Sequence, residues 1–262
     1  MYNFELVKPG SIADAASAMA GEDAQALGGG QTLIPTMKQR LASPATLVSL
    51  SGIPEMQGVC TGDDGQVCIG GATTHANVAS GAGAYPALVA LASHIGDPAV
   101  RNRGTIGGSL ANNDPSACYP AAVLGSGATI VTNTREIAAD DFFQGMFGTA
   151  LNEDEIITEV RFPVPQAAHY EKFLQPASRF ALVGVFVARF ADGVRVAVTG
   201  ASEDGVFRWA EAEAALNKGF KPESLMDLRI NPMNMIGDLH GTKEYRAHLV
   251  SVITRRAVSA AG

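Results

Sequence analysis

Two glycine-rich stretches stand out for the chemistry they allow. Gly28, Gly29, Gly30, Gln31 and Thr32 read GGGQT, and Thr105, Ile106, Gly107, Gly108 and Ser109 read TIGGS. Glycine runs permit positive φ and let a ligand touch the main chain. Successive N–H groups in such turns form a concave nest for an anion such as phosphate. The hydroxyls of Thr32, Thr105 and Ser109 add donors beside it. Two loops of this kind suit a ligand with two phosphates or two halves. Taken singly, GGGQT is equally compatible with a tight turn. Neither stretch completes the G-x-G-x-x-G dinucleotide fingerprint, and no Gly-Lys-Ser/Thr follows as in a P-loop.

Other polar residues offer less. His75 follows two threonines at a helix start and reads as part of the capping region. His94, Asp97 and Arg101 read as polar groups that fix a loop. His240 and His248 have no cysteine or carboxylate cluster around them, so no metal site is expected. No serine or cysteine has a matching base motif, so no catalytic residue is assigned. Cys60, Cys68 and Cys118 form no C-x-x-C pair, and their odd number argues against a disulfide framework. They are too few for an iron–sulfur cluster, which usually takes four.

These residues need elements to position them. FELVK, AQAL and ATLVSL read as strands. Between the first two, Ser11 caps a helix that Gly21 ends; between the last two, LIPTMKQRL starts a second helix with Pro35 in its first turn. This is a β-α-β pattern and implies a small α/β unit. A hairpin follows, turning at Asp63-Asp64-Gly65. Helices are expected from Thr74 onward and over YPALVALASHI. The segment from Gly96 to about Ala117 has no periodicity and reads as a long functional loop. Strands follow at GATIVTN and EIITEVRFPVP, and two more joined at Ala191-Asp192-Gly193. RWAEAEAALNKG and the tail TKEYRAHLVSVITRRAV read as helices. Three units result, at 1–56, 57–167 and 168–262.

Composition narrows the class. The chain of 262 residues is 47% apolar and 17% charged, as for a globular protein with a sizeable core. Its net charge of −7 argues against nucleic acid as the main partner. No apolar run approaches the roughly 18 residues of a membrane span, and the N-terminus lacks a signal-peptide pattern. A cytoplasmic location is expected.

Together the two loops resemble a known family. GGGQTLIPTMKQR and IGDPAVRNRGTIGGSLANNDPSACYPAA are similar to the two flavin motifs of the FAD-binding medium subunit of molybdenum hydroxylases, and the likeness continues through YEKFLQPASRFALVGV to the tail. The resemblance implies an α+β protein: a two-subdomain FAD-binding fold of the vanillyl-alcohol oxidase type, then a C-terminal α+β domain. It implies that Gly28 to Thr32, with Leu33, wrap the FAD pyrophosphate, and that Thr105, Ile106, Gly107, Gly108 and Ser109 hold its other side. Asn112 and Asp114 would add polar contacts. Ile95 would pack near the flavin ring, and Lys172 would place a cation beside it, raising its potential. Cys118 departs from the family, which commonly has Asp or Glu there to bind the ribose. Thiols are poor acceptors, so that contact falls to Asp114 or a backbone carbonyl, with Cys118 near the site.

The resemblance further implies an electron-transfer subunit in a heterotrimer, with molybdopterin on a large subunit and two [2Fe–2S] centres on a small one. Such complexes are expected as dimers of heterotrimers that pass electrons to an external acceptor. Two alternatives differ in class: a stand-alone flavin oxidase or reductase of the same fold, with His75 as the one candidate covalent tether, and an assembly protein that has lost its cofactor.

Overall fold

The computed structural model describes residues 1–262. The first unit is a parallel sheet of β1 (Glu5–Val7), β2 (Ala24–Leu27) and β3 (Thr46–Ser49) in the order β1-β3-β2. Parallel pairing needs crossovers, here α1 (Ile12–Met19) and α2 (Leu33–Lys38). The Ser11 hydroxyl caps α1 by accepting from the Asp14 N–H at 3.1 Å. Ala15 and Met19 of α1 bury against Val48, Leu50 and Ile53.

The second unit is an antiparallel sheet. It comprises β4 (Val59–Thr61), β5 (Val67–Gly70), β6 (Thr129–Thr132), β7 (Glu136–Ala138) and β8 (Ile157–Phe162), ordered β4-β5-β8-β6-β7. Between β5 and β6 run α3 (His75–Gly81), α4 (Pro86–Ser93), α5 (Pro98–Arg101), α6 (Ile106–Asn112) and α7 (Tyr119–Ser126). The short α8 (Ala139–Phe142) follows β7.

Two of these helices correct the expectation of a structureless loop over 96–117. The Asp97 carboxylate caps the single turn of α5 by accepting from Val100 N–H at 2.9 Å. Helix α6 starts at Thr105, whose hydroxyl accepts from Gly108 N–H, and stops at Asn113 in the left-handed conformation (φ 40°). Gly107 and Gly108 lower its propensity enough to hide it. Helix α7 escapes a periodicity test for another reason. All eight of its residues are buried, so it has no polar face to mark a period.

The third unit explains that burial. Strands β9 (Ala167–Leu174), β10 (Ala181–Arg189), β11 (Val194–Ser202) and β12 (Gly205–Arg208) form an antiparallel sheet in the order β12-β11-β10-β9. Helices α9 (Ala210–Lys218) and α10 (Lys243–Ala261) cover one face and α7 covers the other. Val183, Val185 and Val187 of β10 enter the core shared with α10, while Phe186 and Ala188 enter the core shared with α7. A strand buried on both faces reads as one apolar run. Gly125 permits the close approach of α7: a Cβ there would stand 3.0 Å from the Phe186 ring. Arg195 then holds the Leu124 carbonyl at the end of α7 through Nε (3.0 Å) and Nη2 (2.8 Å). No helix is long and apolar enough to cross a membrane.

Candidate functional site

Each of the three glycines at 28–30 has its own reason to be glycine. Gly30 sits at φ +70°, which side chains disfavour. Gly28 and Gly29 are set by contact with the second loop. A Cβ on Gly28 would lie 2.7 Å from Thr105 Oγ1, and one on Gly29 would lie 1.9 Å from the Arg103 carbonyl oxygen. The first loop therefore rests directly on residues 103–105. Its own amides are left over. The N–H groups of Gly28, Gly29, Gly30, Gln31 and Thr32 have no acceptor within the chain, and the first turn of α2 begins only with Ile34 N–H to Gly30 O at 3.2 Å. These residues are half-buried or exposed, so a ligand can reach them. Five consecutive amides are thus left without an acceptor in the chain, free to donate to a bound group.

The second loop is built the other way round. Ile106 N–H donates to Thr73 O (3.1 Å) and Gly107 N–H to Gly71 O (2.9 Å). Gly108 N–H donates to Thr105 Oγ1 (3.2 Å) and Ser109 N–H to Thr105 O (3.0 Å). Most of its amides are thus committed to the chain, and only the Thr105 N–H is unpaired. Ile106 points into the core and is fully buried. Gly107 packs on Gly71, whose carbonyl oxygen a Cβ would meet at 2.6 Å. This loop is the rigid floor on which the first loop lies, with Gly108 exposed and Ser109 half-buried at its rim.

His75 supports that floor from beneath. Its N–H donates to Gly104 O at 2.9 Å, and a Cβ on Gly104 would meet its Nε2 at 2.5 Å. The ring is 4% exposed, tilts against Tyr119 at 5.3 Å, and its Nδ1 has no partner. Burial, with Arg101 adding repulsion, lowers its pKa to about 4. The cap of α3 is Thr74, which accepts from Asn77 N–H at 3.3 Å, so His75 is the first helical residue beside that cap, as expected, and its ring packs inward. The unfolded chain protonates this imidazole first, so its stabilising share is full above about pH 6.5 and is lost towards pH 4. The shift from 6.5 to about 4 corresponds to about 3 kcal/mol. The thermal midpoint is therefore expected to fall through this window, and His75→Asn to flatten it. A wild-type midpoint that stays level from pH 6.5 to pH 4 would contradict this. Glu155, held well below the usual carboxylate range first by Arg135, begins to lose its own share only from about pH 4.5 downward, at the acid end of this window.

A second cluster lies at the junction with the third sheet. Lys172 Nζ on β9 donates to His94 O (2.7 Å), to Arg179 O (3.0 Å) and to Cys118 Sγ (3.5 Å). It thereby joins the C-terminal end of α4, beside half-buried Ile95, to the start of α7 and to the β9–β10 turn. Cys118 is buried at the start of α7. The Ile95 carbonyl accepts from Arg101 Nη1 at 3.0 Å, which fixes the connection towards the second loop. Asp114 accepts from Ser116 N–H at 2.8 Å, and Thr199 of β11 donates to the carbonyls of Pro115 (2.9 Å) and Ala117 (2.8 Å). The segment from Asp114 to Cys118 is thus pinned to the third sheet, with Asn112 half-buried just ahead of it.

The structure brings the expected residues into two groups: residues 28–32 with 105, 108 and 109, and Ile95 with Cys118 and Lys172. Helix α6 and the turn after it connect them, carrying Asn112 and Asp114. Sequence reasoning missed the supports. Arg103, Gly104 and Gly71 form the bed of the loops. Asn113, 1% exposed, donates from Nδ2 to Gly145 O (2.8 Å) and Gly148 O (2.7 Å), fixing the turn beside α6. The available signal was the string RNRGTIGG, which continues the glycine pattern upstream.

Comparison with known proteins agrees with this arrangement. The model of the FAD binding domain in molybdopterin dehydrogenase matches residues 2–165. The carbon monoxide dehydrogenase medium chain of Afipia carboxidovorans is 35% identical, over 99% of this chain and 96% of its own length. The nicotine 6-hydroxylase medium subunit of Paenarthrobacter nicotinovorans is 34% identical, over 97% of this chain and 95% of its own. Among solved structures, reconstituted carbon monoxide dehydrogenase from Oligotropha carboxidovorans has a chain that superposes with a TM-score of 0.88. It is 30% identical and covers 99% of this chain and 98% of its own. The glycine cradle, its floor and these likenesses along the whole length converge: the chain belongs to the family of FAD-binding medium subunits of molybdenum-containing dehydrogenases.

Proposed function

We propose that this chain is the electron-transfer subunit of a heterotrimeric molybdenum hydroxylase. In this reading electrons from iron–sulfur centres on a small partner subunit reach an external acceptor through the FAD held here. A large partner subunit would carry the molybdopterin, and the assembly would be a cytoplasmic dimer of heterotrimers. The three units at 1–56, 57–167 and 168–262 are read as two FAD-binding subdomains and the C-terminal domain of such a subunit.

The observation that carries the reading is the run of five unpaired amides from Gly28 to Thr32. A diphosphate supplies the acceptors they lack, and Thr105, whose Oγ1 lies against Gly28, would add its hydroxyl to the set, as would Thr32 and Ser109 with theirs. The residues present therefore fit FAD, which when bound supplies reversible redox chemistry. The chain's own part is to bind and orient. Gly28 to Thr32, with Leu33 beginning α2, grip the diphosphate on the bed formed by residues 103–108. Asn112 and Asp114 line the path to the second group. Lys172, anchored on the carbonyls of His94 and Arg179, would set a basic side chain beside the flavin ring, against which Ile95 would pack. Cys118 stands where the ribose contact is expected, and its thiol accepts weakly from Lys172. No general base is needed, because the organic substrate is oxidised elsewhere.

The test is anaerobic reduction. The chain purified with its partner subunits should lose its oxidised-flavin absorbance when the substrate of the large subunit is added, and regain it with an electron acceptor. A flavin that stays oxidised while the molybdenum centre turns over would overturn the reading.

A further inference from the structure

Two of the three cysteines, Cys60 and Cys68, are not part of the site described above. Cys60 lies on β4, the edge strand of the second sheet, and Cys68 lies directly opposite it on β5. Residues opposite each other in a sheet project on the same face. Val67 and Ile69 on either side of Cys68 turn inward to the core, so both thiols are on the outer face. Gly62 N–H donates to Gln66 O (2.8 Å) and Gly70 N–H to Gly58 O (3.0 Å). The pair 60/68 falls midway between these two and is of the same hydrogen-bonded kind. Such pairs have Cα atoms about 5.5 Å apart, within the disulfide range, and Cβ atoms about 5 Å apart, just beyond it, so closing the bond draws the two strands together.

The two thiols also differ in a useful way. Cys60 is exposed on the sheet edge and Cys68 is buried. Burial pushes the Cys68 thiol up, and Glu159 and the adjoining Cys60 add to the effect. Cys60 is therefore the thiol that solvent-borne reagents reach, and Cys68, held directly opposite it across the hairpin, is the neighbouring sulfur placed to resolve what forms there.

We propose that Cys60 and Cys68 form a cross-strand dithiol that a hydroperoxide oxidises to a disulfide, locking the β4–β5 hairpin. The Cys60 thiolate attacks one peroxide oxygen, the O–O bond breaks, and hydroxide leaves to give a sulfenic acid. Cys68 sulfur then attacks the Cys60 sulfur, the S–O bond breaks, and water leaves with the Cys68 proton. Two thiols lose two electrons and two protons, and hydrogen peroxide becomes two waters. A dithiol reductant reverses the change. The hairpin is not remote from the cofactor loops: β5 runs into Gly71, whose carbonyl accepts from Gly107 N–H at 2.9 Å.

The experiment treats the full-length protein with hydrogen peroxide, then denatures it, alkylates the remaining thiols and maps the peptides. The expected result is a Cys60–Cys68 linked peptide within one chain, removed by dithiothreitol. In Cys68→Ser the same treatment should leave Cys60 as a sulfenic acid that dimedone captures. The proposal is overturned if both thiols remain open to alkylation. It is also overturned if Cys60 proceeds to the sulfinic acid while Cys68 stays free, or if Cys60 pairs only between two chains.

Discussion

Gly29→Val is expected to lower FAD affinity by at least about 100-fold while leaving a folded protein. The Cβ of any residue at 29 would fall 1.9 Å from the Arg103 carbonyl oxygen and 2.6 Å from Gly104 Cα. Both obstacles are backbone, and both belong to a segment held by His75 and α5, so they cannot swing aside as a side chain would. The first loop must lift off its bed, and its five donors move together. Hydrogen bonds to charged groups contribute about 1.5–3 kcal/mol each, so losing two of them removes about 3 kcal/mol or more, which is the 100-fold. The hydrophobic clusters that hold the second and third units do not include this loop, so circular dichroism should remain native. Gly10→Val serves as the control, since nothing lies within 4 Å of its added Cβ. Equal FAD retention by Gly29→Val and Gly10→Val would show that the cradle is not at residues 28–32.

Lys172→Met should act on the other group of residues and leave a different signature. The methionine keeps the stem but removes three donations, to His94 O, Arg179 O and Cys118 Sγ. FAD should still bind, because the diphosphate cradle is untouched. Its midpoint potential should fall by tens of millivolts, because a cation that stabilises the reduced form is gone. For a two-electron couple about 30 mV corresponds to about 1.4 kcal/mol. Lys172→Arg should recover part of the shift. A potential unchanged in Lys172→Met would reduce this lysine to a structural tie between α4, α7 and the β9–β10 turn.

These two variants also show what could and could not be read from the chain. The first β-α-β unit was legible because its short strands and helices are separated by Ser11, Gly21 and the glycine run, which act as stops and starts. The long tail helix α10 was legible from its apolar stripe at Leu249, Val250, Ile253 and Ala257, all buried. Helix α6 was not, because its two glycines are kept for close packing against Gly71 and Thr105, against local propensity. Helix α7 and strand β10 were hard for the opposite reason. Sandwiched between layers, they bury every side and carry no alternation that reveals their period, although β10 could be caught by its turn and its length. Strand β9 was missed because AAHYEKFL is only partly buried and its last residues, Phe173 and Leu174, are exposed.

The site was legible as two glycine loops but not in its division of labour. The spacing made both loops look like cradles. Only the hydrogen bonds distinguish them: the amides of 28–32 are unpaired, and those of 106–109 are consumed by Thr73, Gly71 and Thr105. The same contacts change the meaning of the glycines. Gly28 and Gly29 are required for the two loops to touch at all, whether or not a ligand is bound. His75 belongs to this hidden layer, since nothing in TTH announces a neutral imidazole packed under Gly104.

The central claim is that residues 28–32, lying on 103–108, hold the diphosphate of FAD. The most direct measurement is a titration of the purified, flavin-stripped chain with FAD, followed by flavin fluorescence and repeated with riboflavin, which lacks the diphosphate. The account predicts saturable binding of one FAD per chain, released as unmodified FAD on acid denaturation, with riboflavin binding far more weakly. A chain that binds riboflavin as tightly as FAD, or binds neither while folded, would contradict it.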